Sequence, residues 1–157
     1  MPIINEKEFS PFGKLKFFIP EGSIYAKFQH ESKPATYHFF FYLGSDEYKF
    51  TLSKCSYEDS IENVIQHLYM LVKPFSVPEY SVDPYLVQSE TCSGWAYEYS
   101  LLKDKELRIC KVVLESPIKY LCLTYSAAPE AYEEGLQVFE KTVRSFSLVD
   151  VDSVTEA

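Results

Sequence analysis

The chain has 157 residues and a formal net charge of −8, and 46% of its residues are hydrophobic and 17% aromatic. This length predicts one domain with a single core, and the apolar content excludes a disordered or low-complexity chain. The excess of 23 acidic over 15 basic residues opposes phosphate backbones and anionic lipid, so neither nucleic acid nor a membrane surface is expected as a partner.

Four strands are predicted in the first third of the chain, over residues 15–19, 25–29, 35–43 and 47–54. Turn-forming residues separate them, and Gly44, Ser45 and Asp46 join the last two into a hairpin. The aromatic run at 39–43 has no polar alternation, which is typical of a strand covered on both faces.

A first helix is predicted to follow the hairpin and to end near Lys73, before Pro74. Ser56 and Asp59 match a helix-capping pattern at its start. Its apolar stripe recurs at spacings of 4, 3, 1, 3 and 4 and comprises Tyr57, Ile61, Val64, Ile65, Leu68 and Val72.

Residues 75–84 are predicted to form a loop because Pro78 and Pro84 interrupt them. Strands are then predicted over 86–91, 94–102, 106–115 and 118–126. Period-two alternation in the second of these places Trp95, Tyr97 and Tyr99 on one face, which is expected to be buried. The opposite face, with Ala96, Glu98 and Ser100, is expected to be wet or covered only by a loop.

A second helix is predicted to begin at Pro129, with glutamates near its start and Lys141 and Arg144 near its end. Its stripe comprises Tyr132, Leu136, Phe139, Val143 and Phe146. Because the strands form meanders rather than alternating with helices, we expect an α+β fold with a single antiparallel β-sheet. The domain is expected to span 1–149, with a frayed acidic tail at 150–157.

The four cysteines are Cys55, Cys92, Cys110 and Cys122. They contain no closely spaced pair and no histidine at ligand spacing, so no zinc site is predicted. A two-residue turn at 116–117 would put Cys110 and Cys122 on opposite faces of the sheet, whereas a one-residue change in that turn would bring them together. Buried free thiols are the expectation.

Two segments carry a family resemblance: FFIPEG at 17–22, and YLCLTYSAAPE at 120–130 followed by FEK at 139–141 and SF at 145–146. This pattern resembles the PsbP-like fold, which is shared by the extrinsic PsbP subunit of photosystem II, a yeast Ran-binding import factor and DcrB-type bacterial domains. The resemblance implies an antiparallel sheet sandwiched between helices over nearly the whole chain. It also implies protein binding, with no shared catalytic constellation, and suggests a bacterial domain of unknown function.

Catalytic motifs are missing from the sequence: it has no G-x-S-x-G, no glycine-rich phosphate loop and no H-E-x-x-H. The three histidines, His30, His38 and His67, have no catalytic partner at local spacing. We therefore assign no catalytic, metal or cofactor residue and do not expect an enzyme. No segment approaches the roughly 20 apolar residues of a membrane span. If Met1 is the native start, the lack of a signal segment predicts a cytoplasmic location.

The leading hypothesis is a non-enzymatic protein-binding domain, such as a chaperone or immunity-type partner of another bacterial protein. Its candidate interaction surface is Phe75, Tyr80 and Tyr85, on a segment stiffened by proline. The other interpretation of these three residues is that they fold back onto the sheet. An alternative function is binding of a small apolar ligand in a pocket between sheet and helix, lined by Trp95, Tyr97 and Tyr99. A third is an enzyme with a dispersed site.

Overall fold

The computed structural model describes residues 6–9, 15–28, 35–55, 59–77, 80–102, 104–116 and 120–148. Within these ranges the chain forms ten strands and two α-helices. In chain order these are β1 Glu6–Phe9, β2 Leu15–Pro20, β3 Ile24–Phe28, β4 Thr36–Leu43, β5 Asp46–Cys55, α1 Ile61–Val72, β6 Ser81–Gln88, β7 Ser93–Leu102, β8 Glu106–Glu115, β9 Tyr120–Ala127, α2 Pro129–Arg144 and β10 Ser147–Leu148. The predicted tail at 150–157 lies outside the described residues.

The strands form two antiparallel sheets rather than the single sheet that was predicted. Seven strands make the main sheet, in the order β3-β4-β5-β9-β8-β7-β6, and the other three make a small sheet in the order β1-β2-β10. The small sheet adds to the main core, because Phe17 of β2 stacks on Phe146 and meets Phe39 of β4 edge-on. The predicted α+β class with antiparallel pairing is confirmed.

The two faces of the main sheet bury different cores. Helix α2 and β2 cover one face, where the largest cluster includes Phe39, Phe50, Tyr125 and Phe139. Helix α1 covers part of the other face, where Ile65 and Tyr69 pack on residues of β7 and β8. The sheet therefore lies between the helices, as the resemblance implied.

The aromatic run in β4 is not covered on both faces, contrary to the prediction. Phe39 and Phe41 are fully buried, but Phe40 is only half-buried and Tyr42 is exposed. The cause is the position of α1, which packs mainly on β6, β7 and β8. On that side of the main sheet, the helix does not reach β4 and leaves it open.

Helix α1 begins one turn later than predicted. Ser60 is its N-cap and its hydroxyl accepts a hydrogen bond from the Asn63 N–H at 3.3 Å, while Asp59 accepts one from the Ser60 N–H at 2.7 Å. Ser56 and Tyr57, on which the predicted cap and stripe depended, lie outside the described residues. No helix in the described ranges is long and apolar enough to span a bilayer.

Strand β6 occupies the last four residues of the segment predicted as a loop, so it runs over 81–88 rather than the predicted 86–91. A short 3₁₀ helix, Lys73–Phe75, follows α1, and β6 then begins at Ser81 and includes Pro84. The proline is tolerated because β6 is an edge strand, and because its pairing with β7 shifts register between Val82 and Tyr85.

One disulfide is present, although free thiols were expected throughout. Cys55 and Cys122 are bonded, with Cα atoms 6.4 Å apart, while Cys92 and Cys110 are free and buried. The bond forms because β5 and β9 are neighbours in which Cys55 lies opposite Tyr120, so Cys55 and Cys122 are diagonal neighbours on one face. In the register of β8 with β9, Cys110 lies opposite Tyr125 rather than Cys122.

Candidate functional site

The face of β7 that was expected to be wet or covered only by a loop is buried. Ala96, Glu98 and Ser100 all point into the core beneath α2, and Glu98 is only 6% exposed. A buried carboxylate is costly unless hydrogen-bond donors surround it. The donors here are tyrosine hydroxyls, which is why a face with polar residues can lie inside the protein.

Three tyrosine hydroxyls converge on the Glu98 carboxylate. Tyr132 of α2 donates to Oε1 at 2.7 Å, Tyr80 donates to the same oxygen at 3.0 Å, and Tyr85 of β6 donates to Oε2 at 2.9 Å. We call these four residues the Glu98 cluster. It ties β6, β7, α2 and the segment before β6 together at one point.

Burial keeps the phenols of this cluster in their neutral form. Desolvation is the main cause that raises the pKa values of Tyr132 and Tyr85, and the nearby Glu98 charge and Cys110 add to it. Burial also raises the pKa of the Cys110 thiol, which lies 3.8 Å from the Tyr85 hydroxyl. Protonated phenols are hydrogen-bond donors, so the arrangement stabilises a carboxylate rather than activating a nucleophile.

Two of the three residues of the predicted interaction surface belong to this cluster. The hydroxyls of Tyr80 and Tyr85 bond to Glu98 inside the protein, whereas Phe75 is 67% exposed. Arg108 lies over the Tyr80 ring, with its guanidinium carbon 4.2 Å from the ring centroid. The use of this segment as an interaction surface stays a prediction.

The residues of the predicted pocket lie on the other face of β7, under α1. Tyr97 and Tyr99 are buried with ring centroids 5.9 Å apart, and Tyr97 also contacts Tyr69 of α1 at 5.6 Å. Trp95 is half-buried beside them. Ligand binding by these three side chains stays a prediction, and the two cavities described next have other linings.

A cavity of about 360 Å³ lies between the C-terminal half of α2 and strands β6 to β8. Its lining includes Ala96, Val112, Phe139, Val143 and the Glu98-cluster residue Tyr85, with Glu140 and Arg144 also contributing. A more open hollow of about 650 Å³ lies at the start of α2, and five of its twelve lining residues are charged. No group of three or more His, Cys, Asp or Glu in the described ranges is placed to hold a metal ion.

Strand β3, at one end of the main sheet, exposes three large apolar side chains. Ile24, Tyr25 and Phe28 are 57%, 51% and 56% exposed. In the part of the chain that the structure describes, β3 pairs with β4 alone. Sequence reasoning predicted this strand but gave no sign that it ends the sheet.

No protein-family model and no curated protein matches the chain, whereas solved structures do. The solution structure of cyanobacterial PsbP, CyanoP, from Synechocystis matches with a TM-score of 0.66 and 14% identity, over 94% of this chain and 95% of that one. A protein of unknown function from Pseudomonas aeruginosa matches with a TM-score of 0.59 and 10% identity, over 88% and 94%. The chain has a PsbP-like fold. At these identities the likeness extends to the fold alone.

The segments that carried the PsbP-like resemblance are central to the fold. Phe17 and Ile19 of β2 are fully buried, and the turn after this strand needs Gly22, whose φ of 88° lies in the left-handed region. The second segment forms β9 and begins α2 with Pro129 at its first position. These positions specify packing and turns, which explains why they reveal a PsbP-like fold and no particular activity.

Proposed function

We propose that this chain is a non-enzymatic protein-binding domain that takes an extended, basic segment of a partner protein alongside β3. The observation that carries the proposal is an edge strand with exposed apolar side chains on both of its faces. An edge strand presents a row of backbone N–H and C=O groups that a further strand can pair with.

Strand β3 lacks the features that usually block such pairing. Its register with β4 runs without a bulge from Ile24 opposite Phe40 to Phe28 opposite Thr36. Proteins protect edge strands with proline, bulges and charged side chains. Of its five residues, only Lys27 is charged.

The side chains of β3 indicate the chemistry of the partner segment. Ile24 and Phe28 point to the face left open by α1, where the Phe28 ring meets His38 edge-on with centroids 4.8 Å apart. Tyr25 points to the opposite face. A segment with apolar residues at alternate positions would bury these side chains, and the net charge of −8 favours basic residues between them. A more specific version of this proposal is that the domain acts as a chaperone or immunity-type partner of a basic bacterial protein.

The non-enzymatic part of the proposal is supported by the Glu98 cluster. Its carboxylate accepts three hydroxyl donors, and its phenols are held neutral by burial. Neither of the two cavities described above has Glu98 in its lining.

The disulfide bears on where the domain works. Disulfides persist in oxidising compartments and are rare in the cytosol. We therefore include an oxidising compartment in the proposal, in place of the cytoplasmic location expected from the sequence. Maleimide labelling of the protein from its native host without reductant should modify Cys92 and Cys110 after unfolding and leave Cys55 and Cys122 unmodified. Labelling of all four would restore the cytoplasmic expectation.

A peptide titration tests the binding proposal directly. The probe is a synthetic 12-residue peptide of alternating valine and lysine, followed through the backbone amide signals of the labelled protein. We expect shifts and slowed hydrogen exchange along β3, with weaker binding at high salt. Replacing Ile24 and Phe28 together by serine should abolish these effects. The matched control is Leu86→Ser, which removes an exposed apolar side chain from the opposite edge strand β6.

Three results would overturn the proposal. One is a peptide that leaves the β3 amides unchanged at millimolar concentration. Another is equally tight binding of a peptide with glutamate in place of lysine, because this would show that β3 does not prefer a basic segment. The third is protection of β3 that grows with protein concentration in the absence of peptide, since this would make a second copy of the chain the occupant.

A further inference from the structure

The sheet side of the cavity under α2 contains one small side chain, Ala96. Ala96 lies opposite Tyr85 of β6 and Val112 of β8, so a single methyl group stands between larger neighbours. Phe139 and Val143 of α2 close the opposite side. A volume of about 360 Å³ is at the lower end of the range for pockets that bind small molecules.

Apart from Glu140 and Arg144, the cavity lining is mostly apolar and contains no charged side chain. The Tyr85 hydroxyl donates to Glu98 Oε2 at 2.9 Å, so it is already used within the protein. The Cys110 thiol beside it stays protonated because burial raises its pKa. A ligand that enters must therefore have an apolar body.

The cavity lining contains a half-buried carboxylate, Glu140, that accepts no hydrogen bond from the described residues. Glu140 has a side chain that is 34% exposed, and its nearest cation is Arg144, with Nη2 3.6 Å from Oε2. This separation exceeds the 2.7–2.9 Å that is usual for a charge-assisted hydrogen bond. Burial raises the pKa of Glu140, as do the neighbouring charges of Glu98 and Glu133, while Arg144 lowers it.

The charges near Glu140 favour a cation over an anion. Glu140 and Arg144 are the charged side chains of the lining and offset each other, but the charges of Glu98 and Glu133, outside the lining, also act on Glu140, and the whole chain carries −8. The Arg144 side chain is 68% exposed, so it can move towards solvent without loss of core packing. A compact ammonium group could then approach Glu140 at hydrogen-bond distance.

We propose that this cavity binds a small organic amine, with an apolar body against Ala96, Val112, Phe139 and Val143 and an ammonium group on the Glu140 carboxylate. The site lies under α2, away from β3, and goes beyond the protein-binding role. Nothing in it requires a covalent step: the amine binds in its protonated form and leaves unchanged.

Three probes with similar apolar bodies and different head groups test the proposal: phenethylamine, phenethyl alcohol and phenylpropanoate. The readout is the movement of the Val112 and Val143 methyl signals during titration of the folded protein. We expect the amine to bind about tenfold more tightly than the alcohol, because a hydrogen bond to a charged group is the stronger kind, and the acid to bind most weakly.

Two variants separate the head-group site from the apolar body site. Glu140→Gln should reduce the affinity for the amine to that for the alcohol. Its matched control, Glu115→Gln, removes the same charge from the exposed end of β8 and should leave the preference intact. Ala96→Leu should fill the cavity and abolish binding of all three probes. If Ala96→Leu does not fold, Val143→Leu replaces it in this role.

The proposal is wrong if no probe moves the two methyl signals at millimolar concentration. It is also wrong if the acid binds as tightly as the amine, or if the Glu140 variant keeps the preference for the amine. If a folded cavity-filling variant still binds the probes, they bind elsewhere on the protein, and this result would overturn the proposal as well.

Discussion

Replacing Glu98 by alanine removes the shared acceptor of three tyrosine hydroxyls. The wild-type carboxylate is 6% exposed and accepts from Tyr132, Tyr80 and Tyr85 at 2.7, 3.0 and 2.9 Å. Tyr132 is fully buried, so its hydroxyl has no access to water once the acceptor is gone. We expect Glu98→Ala to be among the most destabilising single changes that leave the hydrophobic core intact.

The cost can be worked out from the three hydroxyls. A buried donor left without a partner costs about 1–3 kcal/mol, and Tyr132 should bear this in full. Tyr85 keeps its contact with the Cys110 thiol at 3.8 Å, and the half-buried Tyr80 can be hydrated in part, so each should cost less. The alanine variant no longer has to bury a carboxylate, which offsets some of the sum and leaves a net cost of about 2–4 kcal/mol.

Glutamine at the same position should be much milder. Its carbonyl oxygen can accept from Tyr132 and Tyr80 as Oε1 does, and its amide can donate to the Tyr85 oxygen. We expect Glu98→Gln to cost about 1–2 kcal/mol, the difference between a charged and a neutral acceptor. The contrast between the two variants isolates hydrogen bonding from side-chain volume.

Urea unfolding measures both costs, with the fluorescence of the single tryptophan, Trp95, as the signal. The expected loss for alanine corresponds to a fall of about 10 °C in Tm for a domain of this size. Glu115→Ala, at the exposed end of β8, is the control and should change stability by less than about 0.5 kcal/mol. An alanine variant within about 1 kcal/mol of wild type, or a glutamine variant as unstable as the alanine one, would refute the reasoning.

Three further predictions use independent features. Serine in place of Cys55 or Cys122 should lower the free energy of unfolding by about 4 kcal/mol, the loop-closure value for cysteines 67 residues apart, and an unchanged denaturation midpoint would contradict the bond. Gly135→Ala should destabilise the protein by about 1–3 kcal/mol, because the new Cβ would overlap the Tyr125 hydroxyl, whereas helix propensity alone predicts a gain. Desolvation raises the pKa of Tyr132, so its contribution to the free energy of unfolding is complete below about pH 10 and falls above it, by up to about 1.4 kcal/mol per pH unit. In urea unfolding at a series of pH values, Tyr132→Phe should therefore lose stability less steeply at alkaline pH than the wild type.

Local patterns predicted the elements whose partners are close in sequence. The β4–β5 hairpin, strand β8 and the start of α2 at Pro129 all follow from turn residues and periodicity. Pairing between strands that are distant in sequence could not be predicted from these local patterns. The two-residue β10 pairs with β2, and β5 lies beside β9, which brings Cys55 to Cys122. Neither neighbour relation leaves a trace in the local sequence, so the second sheet and the disulfide were missed.

The buried carboxylate was missed for a different reason. Alternation in β7 correctly separated Tyr97 and Tyr99 from Glu98, but polarity assigned Glu98 to solvent. Burial of that face depends on Tyr80, Tyr85 and Tyr132, which come from three other parts of the chain. The high tyrosine content was a usable signal, because a tyrosine buried in a core needs a partner for its hydroxyl. A glutamate in a strand of the core is a suitable acceptor.

The two proposed sites lie on different parts of the main sheet, and this makes them separable. The substituted residues are on β3 and on β7, which are five strand spacings or roughly 24 Å apart in the strand order. Changes this far apart without shared partners should act additively. Serines at Ile24 and Phe28 should therefore leave the phenethylamine affinity unchanged, and a folded Ala96→Leu variant should bind the valine–lysine peptide as wild type does. Coupling between the two affinities would mean that the sheet transmits binding from one edge to the other, and the two sites would then have to be treated as one system.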